Sequence, residues 1–186
     1  MANHVENYIT IKNLNDEAKE EIIRIFKVQP GTYNEVHTTE LISGIFDKPE
    51  YTEGDYDREW VIDNCGAKWF FGSVEDEFED EIIIRIVSAW DPINPLLEIF
   101  TQKLVKICEN VVVESIFEDE AYNFAGVFYG SKEYTDEEYI AIEEWDIERF
   151  WTGEEEDAEY QSEFFFTLQN MLEYERQTHQ SVKNEE

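Results

Sequence analysis

Residues 78–104 read FEDEIIIRIVSAWDPINPLLEIFTQKL, and this stretch decides the fold. Ile82, Ile84 and Ile86 recur at every second position, which places them on one face of a strand over 78–89. Asp91-Pro92 breaks that strand. Asn94 then stands where a helix N-cap belongs, with Pro95 at the first helical position, where a missing N–H costs nothing. Behind it, Leu96, Leu97, Phe100, Leu104 and Ile107 fall at helical spacing and form a stripe that faces a sheet.

The same alternation appears upstream. Val5 to Lys12 reads as a first strand, with Val5, Asn7, Ile9 and Ile11 on one side and Tyr8 opposed. Asn13 or Asn15 caps a helix running to about Lys27, whose stripe is Leu14, Ala18, Ile22, Ile25 and Phe26. Pro30 and Gly31 stop it. Thr32 to Arg58 reads as an insertion or long loop, with one short helix near Thr39 to Phe46. Gly66 to Ser73 is the next strand. Downstream, Val111–Phe117 and Phe124–Tyr129 read as strands, and Tyr134–Trp145 alternates in part and pairs with the latter. Glu154–Gln177 carries Tyr160, Phe164, Leu168, Met171 and Leu172 at helical spacing, with a frayed tail from Thr178.

The order β-α-(insert)-β-β-α-β is a split βαβ, the ferredoxin-like plait of the α+β class, in which two helices cover one face of an antiparallel sheet. Residues 1–130 form this domain, with 32–58 as its insertion. Residues 131–186 form an acidic C-terminal extension with a terminal helix, packed on the same domain.

Charge bounds the function. The 186 residues hold 45 Asp and Glu against 14 Lys and Arg, for a formal net charge of −31. Binding to nucleic acid gains from replacing counterions with Lys and Arg, so this surface repels nucleic acid and anionic membranes and attracts basic partners. The 13 Phe, 10 Tyr and 5 Trp supply a core that a disordered acidic chain would lack. The sequence shows no signal peptide and no apolar run of membrane-spanning length, so a cytoplasmic location is expected. Cys65 and Cys108 read as reduced thiols.

Most candidate sites have a structural explanation. Asp55, Asp57 and Glu59 alternate like early EF-hand ligands, but Trp60 occupies the position of the turn glycine, so no metal site is expected. His4, His37 and His179 are isolated, which excludes a zinc spacing. No P-loop, Rossmann or nucleophile-elbow pattern is present, and no catalytic residue or cofactor is assigned. Lys68 reads as a snorkelling lysine, and Trp90-Asp91-Pro92 as a strand stop. Tyr8 or Phe128 could stack bases as in RNA-recognition sheets, but the charge argues against it.

Three stretches resemble a known family. They are Trp60-Val-Ile-Asp-Asn-Cys-Gly66-Ala-Lys68-Trp69, Ser88-Ala-Trp90-Asp-Pro92-Ile-Asn-Pro95 and Tyr122-Asn-Phe124-Ala-Gly126, preceded by the opening Ala2-Asn3-His4-Val5-Glu6-Asn7. In this order and spacing they resemble the Api92-like or YubB-like family of small phage and plasmid proteins, over roughly residues 1–130. The resemblance implies a ferredoxin-like domain and a mobile-element origin, and it assigns no activity. Cys65 departs from that family's pattern.

The acidic third carries the functional expectation. From Glu133 to Glu163 there are 14 carboxylates and one cation, Arg149, interleaved with Tyr134, Tyr139, Trp145, Phe150, Trp151 and Tyr160. Aromatics can fix carboxylates in space as an imitation of a phosphate array. The expected function is non-enzymatic: a DNA-mimic inhibitor that pairs Glu137, Glu138, Glu143, Glu144, Asp146, Glu154, Glu155, Glu156 and Asp157 with the Arg and Lys of a basic, nucleic-acid-binding host protein. A small enzyme with a carboxylate-lined, metal-assisted cleft is the alternative, marked by buried acids of raised pKa. An assembly subunit is the third, using Tyr160 to Leu172, where Phe164-Phe165-Phe166 is hard to bury on one side of a helix.

Overall fold

The computed structural model describes residues 3–27, 34–46, 57–151 and 155–183, with side chains for all of these except 151–156 and 179–183. Strand β1 (His4–Lys12) lies at the centre of the sheet, and its burial alternates as its sequence does. Five helices occur among the described residues: α1 (Asp16–Ile25), α2 (Thr38–Phe46), α3 (Arg58–Cys65), α4 (Asn94–Val105) and α5 (Glu155–Lys183). The other strands are β2 (Val36–His37), β3 (Phe70–Glu77), β4 (Glu81–Ala89), β5 (Val112–Asp119), β6 (Ala125–Gly130) and β7 (Thr135–Tyr139). They form one sheet in the order β2-β3-β4-β1-β5-β6-β7, and every pair is antiparallel. The protein is thus mixed α+β, and its seven-stranded sheet is larger than the four strands of a split βαβ plait.

Two cores lie on opposite faces. On the first, Ile9, Ile11, Ile82, Ile84, Ile86 and Val113 pack against buried side chains of α1, α2, α3 and α4. On the second, Ala125 and Val127 meet Phe150, Phe164, Leu168 and Leu172. Neighbouring residues of a strand point to opposite faces, so Phe128 joins the first core and Val127 the second. Four helices, where two were expected, therefore cover the first face, and α5 covers the β5–β6 side of the second.

The differences from the sequence reading have local causes. Within the expected insertion, residues 34–46 add strand β2 to the sheet and helix α2 to the core; 32–33 and 47–56 lie outside the described residues. Trp60–Cys65 is helical, because Asp57 caps α3 through the Glu59 and Trp60 N–H groups. Gly66 ends that helix at φ 86°, and a Cβ there would stand 2.5 Å from the Pro92 carbonyl oxygen. The Trp60–Trp69 and Trp90–Pro95 stretches therefore meet at Gly66. Asn94 is not the α4 cap: Ile93 holds that place with no side-chain bond, and Asn94 is the first helical residue. Helix α5 continues past Thr178 to Lys183.

A buried polar network fixes the β4–α4 corner. The Asn7 amide donates to the Ile86 carbonyl and to Ser88 Oγ, both at 3.0 Å, and accepts from the Ile93 N–H. Ser88 Oγ donates to the Asp91 carbonyl at 2.8 Å. These bonds hold Trp90 at φ 77°, a left-handed conformation that bulky residues rarely adopt.

Helix α5 is tied to the sheet by charge as well as by apolar contact. Glu114 of β5, 3% exposed, accepts a two-pronged bond from the Arg176 guanidinium, with Nη2 at 2.7 Å, and another from Lys12 Nζ at 2.8 Å. Burial alone would raise the Glu114 pKa; the bonds from Arg176 and Lys12 outweigh it and hold the group below the usual range. Replacing Arg176 with Ala leaves this carboxylate with one cation, and chemical denaturation should show a loss of about 3 kcal/mol. The double variant Glu114→Met/Arg176→Met should recover most of it.

Candidate functional site

The carboxylates singled out in the sequence separate into three groups. Glu137 and Glu138 lie on β7, the edge strand, and both are exposed. Glu137 stands opposite Phe128 and Glu138 opposite Val127, so they point to different faces of the sheet. Glu143 and Glu144 follow on a 3-10 turn, Ile142–Glu144, and are exposed, as is Asp146. Among the described residues none of these five forms an ion pair with Lys or Arg.

Asp157 does not belong with them. It is buried and accepts from Arg149 Nε at 2.6 Å, while the same guanidinium lies 4.2 Å from the Tyr160 ring centroid. Burial is tolerable for Asp157 because its charge is paired within the fold. Glu155 and Glu156 open helix α5, and Glu154 lies outside the described residues.

Aromatic side chains hold this edge in place. Trp145 meets Tyr160 and Phe164 at centroid distances of 5.3 and 5.0 Å, and Phe150 meets Phe164 at 5.2 Å. The Asp146 N–H donates to the Tyr160 hydroxyl at 2.8 Å. The irregular chain carrying Glu143, Glu144 and Asp146 is thus pinned to α5. The run Phe164-Phe165-Phe166 divides accordingly: Phe164 is fully buried, Phe165 half-buried and Phe166 exposed.

Side chains from three elements complete the edge. The Tyr134 hydroxyl bridges Asp136 of β7 and Glu175 of α5. Burial raises the Glu175 pKa, with Asp136 and Glu138 adding to it against the bond from Tyr134. The Asn94 amide donates to the Glu137 carboxylate. That contact exists only because β7 passes the start of α4, which no local pattern announces.

The β1–β4–β5 part of the second face contains another unusual acid. Glu118 is 9% exposed, and its Oε2 has no hydrogen-bond partner. Burial, with the Glu6 charge beside it, pushes its pKa up to about 7. Its neighbour Glu6 is held by Arg85 through two bonds of 2.7 Å. Tyr8 is exposed on this face, whereas Phe128 is buried on the opposite one and cannot join it. A groove of about 470 Å³ runs between this face and α5, lined by Tyr8, Lys12, Glu114, Phe166 and Arg176 among others. Glu118 is not among its lining residues.

Among the described residues no group of three or more His, Cys, Asp or Glu is placed to hold a metal ion. Both cysteines are buried and free, and burial pushes the Cys65 thiol up to about 12. No helix among the described residues is long and apolar enough to cross a membrane. Comparison of the chain with protein-family models, curated proteins and solved structures finds no match.

Glu118 gives a pH signature. Its folded pKa of about 7 lies above the ordinary 4.5, so the folded state holds the extra proton between these values and stability falls as pH rises through that window. Thermal unfolding should show Glu118→Gln to be more stable than the native protein at pH 8, by on the order of 1–3 kcal/mol. The difference should shrink toward pH 5. A constant difference across that range would contradict the assignment.

Proposed function

We propose that this protein is a non-enzymatic acidic binding protein whose C-terminal part occupies a basic nucleic-acid-binding surface of another protein, as a DNA mimic. The observation that carries the reading is the exposed edge formed by Asp136, Glu137 and Glu138 on β7 and by Glu143, Glu144 and Asp146 beyond it. Asp136 and Glu138 share one face of β7, about 6.8 Å apart, and Glu137 points to the other. Acids on an edge strand also discourage edge-to-edge pairing. Glu143, Glu144 and Asp146 lie off the strand, so that role does not account for them.

The partner would be basic and nucleic-acid-binding: a nuclease, a restriction or CRISPR complex, or RNA polymerase. The net charge of −31 argues against nucleic acid itself and anionic membranes as direct partners. The resemblance to the Api92-like or YubB-like family supports a phage or plasmid origin, with action in the host cytoplasm. Within this reading, the central strands β3-β4-β1-β5 are a ferredoxin-like plait elaborated at both edges.

One observation favours an enzyme with a carboxylate-lined cleft, namely buried Glu118. Among the described residues its acidic neighbours on this face are engaged, because Arg85 holds Glu6 and Lys12 and Arg176 hold Glu114. An assembly role would rest on exposed Phe166.

The test is capture from a lysate of the natural host, elution with duplex DNA, and assay of the captured protein's nucleic-acid binding. A DNA-displaced partner that loses its own binding is expected. Neutralising Glu137, Glu138, Glu143, Glu144 and Asp146 together should weaken capture by about tenfold or more. Capture that is indifferent to DNA and to these substitutions would refute the mimic.

A further inference from the structure

The groove between the second sheet face and α5, about 470 Å³, falls within the size range of small-ligand sites. Tyr8 and Thr10 of β1 stand opposite Ile116 and Glu114 of β5, so these four side chains point to one face and form one wall. Phe166, Gln169, Asn170 and Glu173 recur at helical spacing along the facing wall of α5. Tyr8 is 45% exposed and Phe166 60%, and among the described residues neither ring packs against another aromatic ring. Tyr160, Phe164 and Phe165 of the same helix instead interlock with neighbouring rings. Two open rings on opposite walls suit a flat ligand.

The lining also sets the charge and polarity of that ligand. Lys12 and Arg176 both bond Glu114, and Arg176 Nη1 bonds Glu173 at 2.7 Å. Two cations thus meet two carboxylates, and no surplus charge is left in the groove to attract an ion. The Gln169 and Asn170 amides and the Thr10 hydroxyl make no side-chain hydrogen bond among the described residues, and each offers both a donor and an acceptor. A hydrocarbon ligand would displace water from these groups without replacing its bonds, whereas a flat heterocycle with donors and acceptors on its edge satisfies them.

We infer that this groove is a binding site for a neutral nucleoside, with its base between the Tyr8 and Phe166 rings and the base edge against the Gln169 and Asn170 amides. Aromatic side chains stack on the face of any base, and amide side chains bond base edges. The net charge of −31 acts against phosphates, which a nucleoside lacks. The site shares no residue with the acidic edge of β7 and the chain beyond it, so it stands apart from the mimic reading.

The experiment is an NMR titration of the full-length ¹⁵N-labelled protein with adenosine, and separately with ribose and with adenosine monophosphate. Adenosine should give saturable shifts at the Gln169 and Asn170 side-chain amides, ribose none, and the monophosphate should bind more weakly than adenosine. Phe166→Ala and Tyr8→Ala should each weaken adenosine binding by about tenfold, because the base loses one of its two stacking faces. Both side chains are exposed, so both variants should remain folded; Tyr174→Ala, which removes an exposed ring of α5 outside the groove, should leave binding unchanged. A response that is absent or does not saturate, an equal response to ribose, tighter binding of the monophosphate, or native affinity in Phe166→Ala would overturn the site. The titration needs no partner, so its outcome is independent of host-protein capture.

Discussion

With 45 acidic and 14 basic side chains, this fold depends on where its few cations are placed. Five of those described join elements distant in sequence. Arg176 of α5 and Lys12 of β1 meet on Glu114 of β5; Lys103 of α4 reaches Glu21 of α1; Lys19 of α1 reaches Glu77 of β3; Arg85 of β4 holds Glu6 of β1. The Arg24 hydrogen bond, helped by Lys103 and against burial, holds Glu21 down to about 2. Exposed pairs of this kind stabilise by little each, whereas Glu114 is buried and depends on its partners. Among the described residues, none of these cations pairs with the exposed acids Asp136, Glu137 and Glu138 of β7 or with Glu143, Glu144 and Asp146 beyond it.

The regular elements were legible because their periodicity is undisturbed. Ile9 and Ile11, Ile82, Ile84 and Ile86, and the stripe from Leu96 to Leu104 lie buried as their spacing required. Helix α3 was not legible, since only Val61 and Cys65 of its turns are buried and no stripe forms. Edge β2 depends on β3, far away in sequence, whereas β7 pairs with the adjacent β6 as its partial alternation suggested. The second core was hidden for a related reason: burial of Glu114 follows from α5 lying over β5, and nothing local to 111–117 states this.

The candidate site shows the same division. Composition marked residues 133–163 as acidic and aromatic, and the aromatics do anchor the chain around Glu143, Glu144 and Asp146. Spacing alone could not separate Asp157, held by Arg149, from exposed acids a few residues away. Asn94 looked like a helix cap because cap and first-turn residues share the same chemistry; its position one residue inside α4 turns its amide to Glu137. Glu118 was indistinguishable from its many fellow acids until its burial was known.

The central claim is that the edge acids are kept at a cost to stability, which a surface retained for binding accepts and one retained for folding does not. Thermal unfolding against sodium chloride concentration tests it most directly, comparing the native protein with the variant neutralised at Glu137, Glu138, Glu143, Glu144 and Asp146. The account predicts a native melting temperature that climbs with salt as repulsion is screened, and a variant that is more stable at low salt with a flatter dependence. A variant no more stable than the native protein, with the same salt slope, would mean that the fold already compensates these charges and would contradict the account.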